Sequence, residues 1–388
     1  MKNITIFKKY FENQIYSKLR SHLNTMPIGF PRTITGVEIK LLKDLFTPEN
    51  ADIARYMDWH FHTASQIFDD LPSRLKSKYI DPHILTVCLN DMARAGAILR
   101  RTEAASYALV PFIVGMYEFQ INTITADFYD KKVMPYLKGG FALEYLATSL
   151  PQTRIIPVKE SIPIEHLCAQ WDDLDRIIDD TKGDIALIGC ICRKVADLKS
   201  LPCKATDRRE ICMVFNDYAD SILREGWGRK ITKDEAHASA LQSRKEGLIL
   251  QPSNEKDPQV VCACCGCCCG LLGLFTFFPR PADFLHSNYE VKIKDGCRGC
   301  NLCVQFCQMQ AITVTDKKPF IDTARCAGCG ICASKCSFGA LQMKQKARIS
   351  EPPQNTEELL TILGQKKPGI FKKITVGVRA VFGIPQKR

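Results

Sequence analysis

Two stretches near the C-terminus decide the fold of that region: Cys297-Arg-Gly-Cys300-Asn-Leu-Cys303-Val-Gln-Phe-Cys307 and Cys326-Ala-Gly-Cys329-Gly-Ile-Cys332-Ala-Ser-Lys-Cys336. Both have the spacing Cys-x2-Cys-x2-Cys-x3-Cys, and the second begins 29 residues after the first. The duplication continues past the cysteines, because Ala311-Ile312 matches Ala340-Leu341. Three cysteines at this spacing can wrap one loop around three irons of a cubane, so the repeat predicts two [4Fe–4S] clusters. Zinc also binds Cys-x2-Cys pairs, but the duplicated run of four disfavours it.

This region resembles the bacterial two-cluster ferredoxins over about 50 residues. In that family the fourth cysteine of each run ligates the other cluster. The chain departs from the family at Gln308 and Ser337, where proline usually follows the fourth cysteine; this changes hydrogen bonding near the sulfurs but removes no ligand. The resemblance implies that one cluster is held by Cys297, Cys300, Cys303 and Cys336, and the other by Cys326, Cys329, Cys332 and Cys307.

Ten further cysteines precede this region, and ten thiols in so short a segment are too many for structure alone. An iron–sulfur cluster needs about four cysteines, so the segment predicts one or two additional clusters, or one larger cluster. The spacing does not say which of the ten are ligands. The candidates are Cys190, Cys192, Cys203, Cys212, Cys262, Cys264, Cys265, Cys267, Cys268 and Cys269.

The upstream pattern resembles a group of ferredoxin-like proteins of anaerobic bacteria and archaea, over roughly residues 27–345. The shared elements are Cys190-Ile-Cys192-Arg193, the spaced pair Cys203 and Cys212, Gly226-Trp-Gly228-Arg229-Lys-Ile231-Thr232, and the run from Cys262 to Cys269. That group consists mostly of iron–sulfur electron carriers of undefined substrate. The resemblance therefore implies an architecture more than a reaction.

Two arginines in this pattern have two interpretations each. Arg193 and Arg229 could lie beside a cluster and offset thiolate charge, or they could form ordinary surface ion pairs. The spacing Gly226-x-Gly228 is too short for a dinucleotide fingerprint, and the sequence contains no Walker loop. A flavin or nicotinamide site therefore has no support in the sequence.

The number of cysteines also bears on the cellular compartment. Twenty are present, and only Cys88 and Cys168 stand apart, each interpreted as a small buried hydrophobe. A disulfide scaffold is typical of small secreted chains, and adjacent cysteines such as Cys267 and Cys268 rarely meet disulfide geometry. The first ten residues carry lysines where a signal peptide needs an apolar run. We therefore expect metal-binding thiolates in the cytoplasm.

The stretch Val260–Phe278 has no formal charge over nineteen residues, which is long enough for a membrane span. Six of these residues are cysteines, and Asp257-Pro258 and Pro279-Arg280 bound the stretch. We interpret it as a metal-ligating loop that leads into a short buried helix.

The N-terminal region is predicted to be helical. Residues 1–25 show Ile4, Phe7, Phe11 and Ile15 at helical spacing. Further helices are predicted over 36–46, 48–60, 65–78 and 81–96, the last with Ile84, Val87, Cys88 and Met92 inward. A short hairpin follows over 97–101 and 107–110, and aromatic-rich helix over 111–150.

Helices closed by a hairpin are the outline of a winged helix. The helix that would read a DNA groove offers Asp81, His83, Asp91 and Arg94, which is not a basic face, so nucleic-acid binding is disfavoured and structural or partner-binding use is favoured. In the middle region, a strand is predicted over 185–189, and a capping box from Thr232 to Glu235 opens a helix.

The expected fold class is α+β multidomain. The domains are a helical, winged-helix-like domain (1–150), a cysteine-rich α/β iron–sulfur domain (151–280), a bacterial two-cluster [4Fe–4S] ferredoxin fold (281–345) and a basic amphipathic tail (346–388). The net charge is +11, and from Lys344 onward ten basic residues face three acidic ones. Phe371, Ile374, Val378, Val381 and Phe382 recur near helical spacing in the tail. This helix could contact the inner face of a membrane peripherally, dock on a redox partner, or pack within the protein.

Three functions remain open at this stage. The leading one is electron transfer through two [4Fe–4S] clusters, to or from a further cluster in the middle domain, with redox proteins as partners. The second is a reductase that acts on a small molecule at the ten-cysteine site, which would make the chain an oxidoreductase subunit. The third is a redox-sensing regulator with the winged helix as its output.

Overall fold

The structure is a computed structural model, and it describes residues 2–79, 81–162 and 168–386, with side chains from Asn13 onward. It divides into two compact units. The first contains Met1–Tyr145, Asp220–Trp227 and Leu360–Lys367; the second contains Leu146–Ala219, Gly228–Leu359 and Pro368–Arg388.

The first unit begins with six helices, three of which have side-chain caps. Thr47 caps the third, Thr63 and Gln66 form a capping box at the fourth, and Asp81 accepts from two backbone N–H groups at the sixth. The six are α1 (Lys2–Leu23), α2 (Val37–Leu45), α3 (Pro48–Ala54), α4 (Ala64–Asp70), α5 (Ser73–Tyr79) and α6 (Pro82–Arg94).

Three predictions for these helices need correction or fall partly outside the described residues. The single helix over 65–78 is wrong: Leu71 is extended before Pro72, and the chain forms α4 and α5 instead. The helix over 48–60 ends earlier, at Ala54. In α1, the side chains of Ile4, Phe7 and Phe11 lie outside the described residues, and Ile15 is only half-buried, whereas Tyr16, Leu19 and Leu23 are buried.

The inward face predicted for α6 is also wrong, except for Met92. Ile84 is 43% and Val87 61% exposed, and Cys88 is half-buried. The buried residues are Leu85, Leu89, Met92 and Ala93. Apolar residues occur on both faces of this helix, so periodicity alone selects either face.

A three-stranded antiparallel sheet follows α6. It contains β1 (His62–Thr63), β2 (Ile98–Arg101) and β3 (Ser106–Leu109), in the order β1-β3-β2. The predicted hairpin is confirmed as β2 and β3, whereas the two-residue β1 was not predicted. Helix then runs from Ala126 to Ala147 through α7 (Ala126–Phe128), α8 (Met134–Tyr136) and α9 (Ala142–Ala147), with wide turns between them. Its rings Tyr136 and Phe141 pack edge-on against Phe112.

The second unit is built on a five-stranded antiparallel sheet. Its strands are β4 (Ile185–Gly189), β5 (Glu210–Phe215), β6 (Gly228–Ile231), β7 (Ile249–Pro252) and β8 (Val260–Cys264), in the order β6-β4-β5-β8-β7. The helices of this region are α10 (Leu174–Asp180), α11 (Ile191–Leu198), α12 (Asn216–Arg224), α13 (Lys233–Lys245) and α14 (Gly270–Thr276). The predicted strand over 185–189 is confirmed, as is the capping box of Thr232 and Glu235 at the start of α13.

The short helix predicted at the end of the uncharged stretch Val260–Phe278 is confirmed as α14, but the residues predicted as a loop before it include a strand. The stretch begins with the interior strand β8, turns, and continues as α14. Among the described residues, no helix has the length and apolar character needed to cross a membrane.

The C-terminal part of this unit repeats a short helix and two strands. It contains β9 (Tyr289–Ile293), α15 (Leu302–Gln305), β10 (Ile312–Thr315), β11 (Lys318–Ile321), α16 (Ile331–Ser334) and β12 (Leu341–Gln345). Strand β9 pairs with β12, and β10 with β11, both antiparallel. Two helices close the chain, α17 (Thr356–Gln365) and α18 (Ile370–Val381).

Candidate metal centres

The eight cysteines of the duplicated runs form two groups, and the groups cross between the repeats. Cys336 lines one cavity together with Cys297, Cys300 and Cys303. Cys307 lies on the other side, where its charge acts on Cys326, Cys329 and Cys332. This arrangement of the thiols agrees with the crossed ligation that the ferredoxin resemblance implies, which stays a prediction.

Residues that match between the two repeats, but lie outside the cysteine runs, form the core between these groups. Ile312 and Leu341 are buried together with Cys332, and Cys303, Cys307 and Cys336 pack against them. Burial raises the pKa of the Cys329 thiol to about 12, because a thiolate in an apolar core loses its hydration. Such a thiol ionises only when a metal replaces its proton, so this core suits a site that is filled by metal.

Four upstream cysteines form a compact group, which we call the four-cysteine site: Cys203, Cys265, Cys267 and Cys268. Their sulfurs all lie within 4.8 Å of one another. The shortest separations are 3.5 Å between Cys265 and Cys267 and 3.6 Å between Cys203 and Cys265. Four thiols at this spacing are a suitable ligand set for one zinc ion, whose tetrahedral sulfurs lie about 3.8 Å apart; a cubane cluster, with one thiolate on each of four irons, needs the same sulfurs farther apart.

Arg193 lies against the four-cysteine site and is fully buried. Its Nε donates to the Cys203 sulfur at 3.4 Å, and its Nη2 to the Cys265 sulfur at 3.5 Å and the Ala263 carbonyl at 3.0 Å. Burial raises the pKa of the Cys203 thiol, but the hydrogen bond from Arg193 and two backbone N–H groups lower it to about 6. Cys203 is therefore mainly a thiolate at neutral pH.

The third nitrogen of this guanidinium group distinguishes an iron–sulfur cluster from a zinc ion. The Nη1 of Arg193 is buried and has no hydrogen-bond partner among the residues that the structure describes. A buried N–H without an acceptor is costly. An iron–sulfur cluster brings inorganic sulfides that can accept such a bond, whereas a zinc ion brings none. This donor therefore favours a [4Fe–4S] cluster, whereas the short distances between the sulfurs are those of a site for a single ion.

The two arginines of the upstream pattern have different roles. Arg229 is half-exposed and forms ion pairs with Glu235 at 3.0 Å and Glu210 at 3.3 Å. Arg229 therefore forms ordinary surface ion pairs, which is the second of the two interpretations. Arg193 occupies the position beside the thiols that the first interpretation describes.

The remaining six upstream cysteines lie together at one face of the five-stranded sheet. Cys212 is on β5, Cys262 and Cys264 are on β8, and Cys190 and Cys192 are at the start of α11. Cys269 caps the start of α14. We call these six the six-cysteine group. All twenty cysteines of the chain are unbridged. Of the two lone cysteines, Cys168 accepts a hydrogen bond from the Tyr289 hydroxyl at 3.3 Å.

One side chain joins the ferredoxin region to the four-cysteine site. Gln308, the residue after Cys307, accepts through Oε1 from the backbone N–H of Gly266 at 2.9 Å. Its Nε2 donates to the Gly247 carbonyl at 3.0 Å. Gly266 lies between Cys265 and Cys267, and a Cβ there would meet the Gln308 carbonyl oxygen at 2.3 Å. Only glycine allows this close approach.

A further group of metal-ligating side chains lies in the first unit and was not predicted. The Asp58 carboxylate is 3.2 Å from His60 Nδ1 and 3.0 Å from His62 Nε2. The alternation Asp-x-His-x-His was the available sequence signal. Because the carboxylate already pairs with both imidazoles, the group is accounted for without a metal.

Comparison with known proteins agrees with this arrangement. Residues 296–350 match the 4Fe-4S dicluster domain family. No curated protein and no solved structure matches the chain. The domain match and the four-cysteine site together support an iron–sulfur protein with [4Fe–4S] cofactors.

Proposed function

We propose that the chain transfers single electrons between the two ferredoxin clusters and a further [4Fe–4S] cluster at the four-cysteine site. A bound cluster supplies one-electron chemistry at low potential. Cys297, Cys300, Cys303 and Cys336 would hold one ferredoxin cluster, and Cys326, Cys329, Cys332 and Cys307 the other. Cys203, Cys265, Cys267 and Cys268 would hold the third.

The observation that carries this proposal is the contact of Gln308 with Gly266. A continuous route of covalent bonds runs from Cys307 to the Gln308 side chain, crosses one hydrogen bond, and reaches the backbone between Cys265 and Cys267. Electronic coupling decays more slowly through bonds and short hydrogen bonds than through empty space. The residue that replaces the family's usual proline thus supplies the link.

Other contacts fix the ferredoxin region against the end of α13 and Gly247, whose carbonyl also accepts a hydrogen bond from Gln308. Lys335, on the ferredoxin side, donates to the Lys245 carbonyl at 2.6 Å. Its ammonium also lies 4.7 Å from the centre of the Phe306 ring, and Phe306 packs beside Gly247. These contacts support a fixed distance between the clusters, which a relay requires. Among the described residues, nothing favours the reductase or the regulator over the relay.

The arrangement of the first unit supports the winged-helix proposal for residues 1–150. Strand β1, helices α4 to α6 and the hairpin β2–β3 follow one another, and the sheet order is β1-β3-β2. The exposed face of α6 carries Ile84 and Val87, and its Arg94 is paired with Asp91 at 2.7 Å. An apolar face without free positive charge favours a protein partner over nucleic acid.

The tail supports peripheral contact with an anionic membrane. Along α18, Phe371 is 84% exposed and Ile374, Val378 and Val381 are also exposed, with Lys372 and Arg379 on the same helix. Basic amphipathic helices with an exposed apolar face insert into the interface of anionic bilayers. The resemblance of residues 27–345 to proteins of anaerobes remains a prediction.

The proposed function is tested by counting clusters and assigning them. In chain purified without oxygen, we expect Cys267→Ser and Cys300→Ser to lose different EPR signals of the reduced protein. Each variant should lose about four irons or convert its own cluster, while Cys88→Ser retains all of them. If Cys267→Ser leaves both the iron content and every signal unchanged, the four-cysteine site holds no cluster. The ferredoxin clusters then have no third cluster with which to exchange electrons.

A further inference from the structure

The six-cysteine group is a closed ring of thiol–thiol contacts. Each of its six sulfurs lies close enough to two others of the group to interact with them. The order around the ring is Cys190, Cys192, Cys269, Cys264, Cys262, Cys212 and back to Cys190. No member is peripheral, because every thiol has two ring neighbours.

The sheet explains how residues so distant in sequence meet. Strands β5 and β8 pair antiparallel with Met213 opposite Val261, which brings Cys212 beside Cys262. Cys262 and Cys264 share one face of β8, because side chains alternate along a strand. Cys212 is opposite Ile188, near the end of β4, and the chain passes directly from there to Cys190 and Cys192.

The turn between β8 and α14 separates this ring from the four-cysteine site. The run Cys262–Cys269 contributes three thiols to the ring (Cys262, Cys264 and Cys269) and three to the four-cysteine site (Cys265, Cys267 and Cys268). Ring contacts join Cys262, Cys264 and Cys269 to ring members, whereas Cys265 and Cys267 contact Cys203. The six cysteines of this run are thus divided equally between the two sites.

Arg193 lies where the two groups adjoin. It follows Cys192 in the chain, and its guanidinium donates to Cys203 and Cys265 of the four-cysteine site. It also interacts electrostatically with Cys190 of the ring. One buried cation therefore lies close to sulfurs of both groups.

We propose that the six-cysteine ring is a second upstream iron–sulfur site, separate from the four-cysteine site, whose cluster is ligated by all six thiolates and exceeds a cubane in size. Six all-sulfur ligands with no histidine form a soft donor set that suits iron–sulfur clusters. A cubane presents four irons, each needing about one protein ligand, so a single cubane leaves two ring thiols unused. This inference does not rest on the relay, since the ring can hold a cluster whether or not electrons pass through Gln308.

The test is the metal and sulfide content of the full chain purified without oxygen. Two ferredoxin clusters and one cubane account for about twelve irons, so the ring adds irons beyond about twelve, with more than about sixteen expected. Cys212→Ser and Cys264→Ser should each lose the same irons and the same spectroscopic signal. Cys267→Ser should lose a different set, and Cys168→Ser should lose none.

Several outcomes overturn the proposal. These are about twelve irons or fewer in the wild-type chain while the signals of the four-cysteine site and the ferredoxin clusters are intact, zinc lost on Cys212→Ser in place of iron, or ring disulfides found by mass spectrometry after alkylation. Full iron content in any two of the six single serine variants overturns ligation by all six. Because Cys212→Ser lies within a central strand and could fail to fold, Cys190→Ser at the start of α11 provides the same test outside the sheet, with circular dichroism to verify folding. If the four-cysteine site holds no cluster, the total falls by about four irons but the irons lost on Cys212→Ser and Cys264→Ser are unchanged, so the two proposals fail independently.

Discussion

Gln308 is hydrogen-bonded through its side chain to the backbone of Gly266, at 2.9 Å, on the residue that separates Cys265 from Cys267. The same amide is fixed at its other end by the Gly247 carbonyl. The position after the fourth cysteine, which usually holds proline in two-cluster ferredoxins, is therefore used in this chain to connect two cysteine-rich regions. This contact has consequences for stability as well as for electron transfer.

Gly266→Ala should destabilise the second unit. A Cβ at this position would meet the Gln308 carbonyl oxygen at 2.3 Å, and backbone cannot give way as a flexible side chain would. We expect the free energy of unfolding to fall by about 1–3 kcal/mol, measured by anaerobic chemical denaturation. Gly273→Ala is the matched control, because a Cβ on that helical glycine meets nothing within 4 Å. Equal stability of the two variants would show that the close approach does not exist.

Arg193 should set the reduction potential of the cluster at the four-cysteine site. A buried positive charge favours the reduced, more negative state of a cluster, so Arg193→Met should lower its potential, by about 60 mV or more. The measurement is a potentiometric titration followed by EPR. Arg193→Lys retains the charge and should recover part of the shift. Arg229→Met removes a surface arginine paired with Glu235 and should leave the potential unchanged; identical potentials for the Arg193→Met and Arg229→Met variants would refute the assignment.

Glu255 should make the second unit less stable as the pH rises. Burial raises the pKa of this carboxyl to about 7 from 4.5, although Ser253 and Arg154 partly oppose the shift. Between these values the folded chain binds more protons than the unfolded chain, so stability is greatest below about pH 4.5 and declines through pH 7. We expect Glu255→Gln to remove a decline of about 2–3 kcal/mol, measured as the difference between variant and wild type at pH 5 and pH 8.

The control for Glu255 is Glu290→Gln, which removes an exposed carboxylate beside Lys344. Its profile should follow that of the wild type. A Glu255→Gln profile parallel to the wild-type profile would mean that the carboxyl titrates near its ordinary value.

The exposed face of α18 should bind anionic vesicles. We expect the wild-type chain to float with vesicles containing phosphatidylserine at low salt, and to float less as salt screens Lys372 and Arg379. Phe371→Ser combined with Phe382→Ser removes two exposed rings and should abolish flotation. Phe320→Ser removes an exposed ring elsewhere and should not. Flotation that is equal for all three proteins would exclude α18 as the contact.

The sequence predicts those parts of the molecule that depend on local spacing. The three-cysteine loops, the Thr232 capping box and the β2–β3 hairpin are set by residues a few positions apart, and each was anticipated. The inward face of α6 was not, because Ile84 and Val87 are as apolar as the buried Leu85 and Leu89, and only tertiary packing distinguishes the two faces.

The division of the ten upstream cysteines could not be predicted for a different reason. It depends on the register between β5 and β8, which brings Cys212 beside Cys262, and on the turn that follows β8 after Cys264. The burial of Arg193 between the two groups follows from that register too. A resemblance could identify the cysteines as candidate ligands, but not assign them to sites.

The central claim, that electrons pass from the ferredoxin clusters to the four-cysteine site through Gln308, is tested most directly by the rate of that transfer. In rapid-freeze EPR after anaerobic mixing with a one-electron donor, Gln308→Leu should slow reduction of the upstream cluster by about tenfold or more, with iron content and potentials unchanged. Ser337→Ala alters the equivalent, exposed position of the other repeat and should react at the wild-type rate. Equal rates in the wild type and in Gln308→Leu would contradict the account.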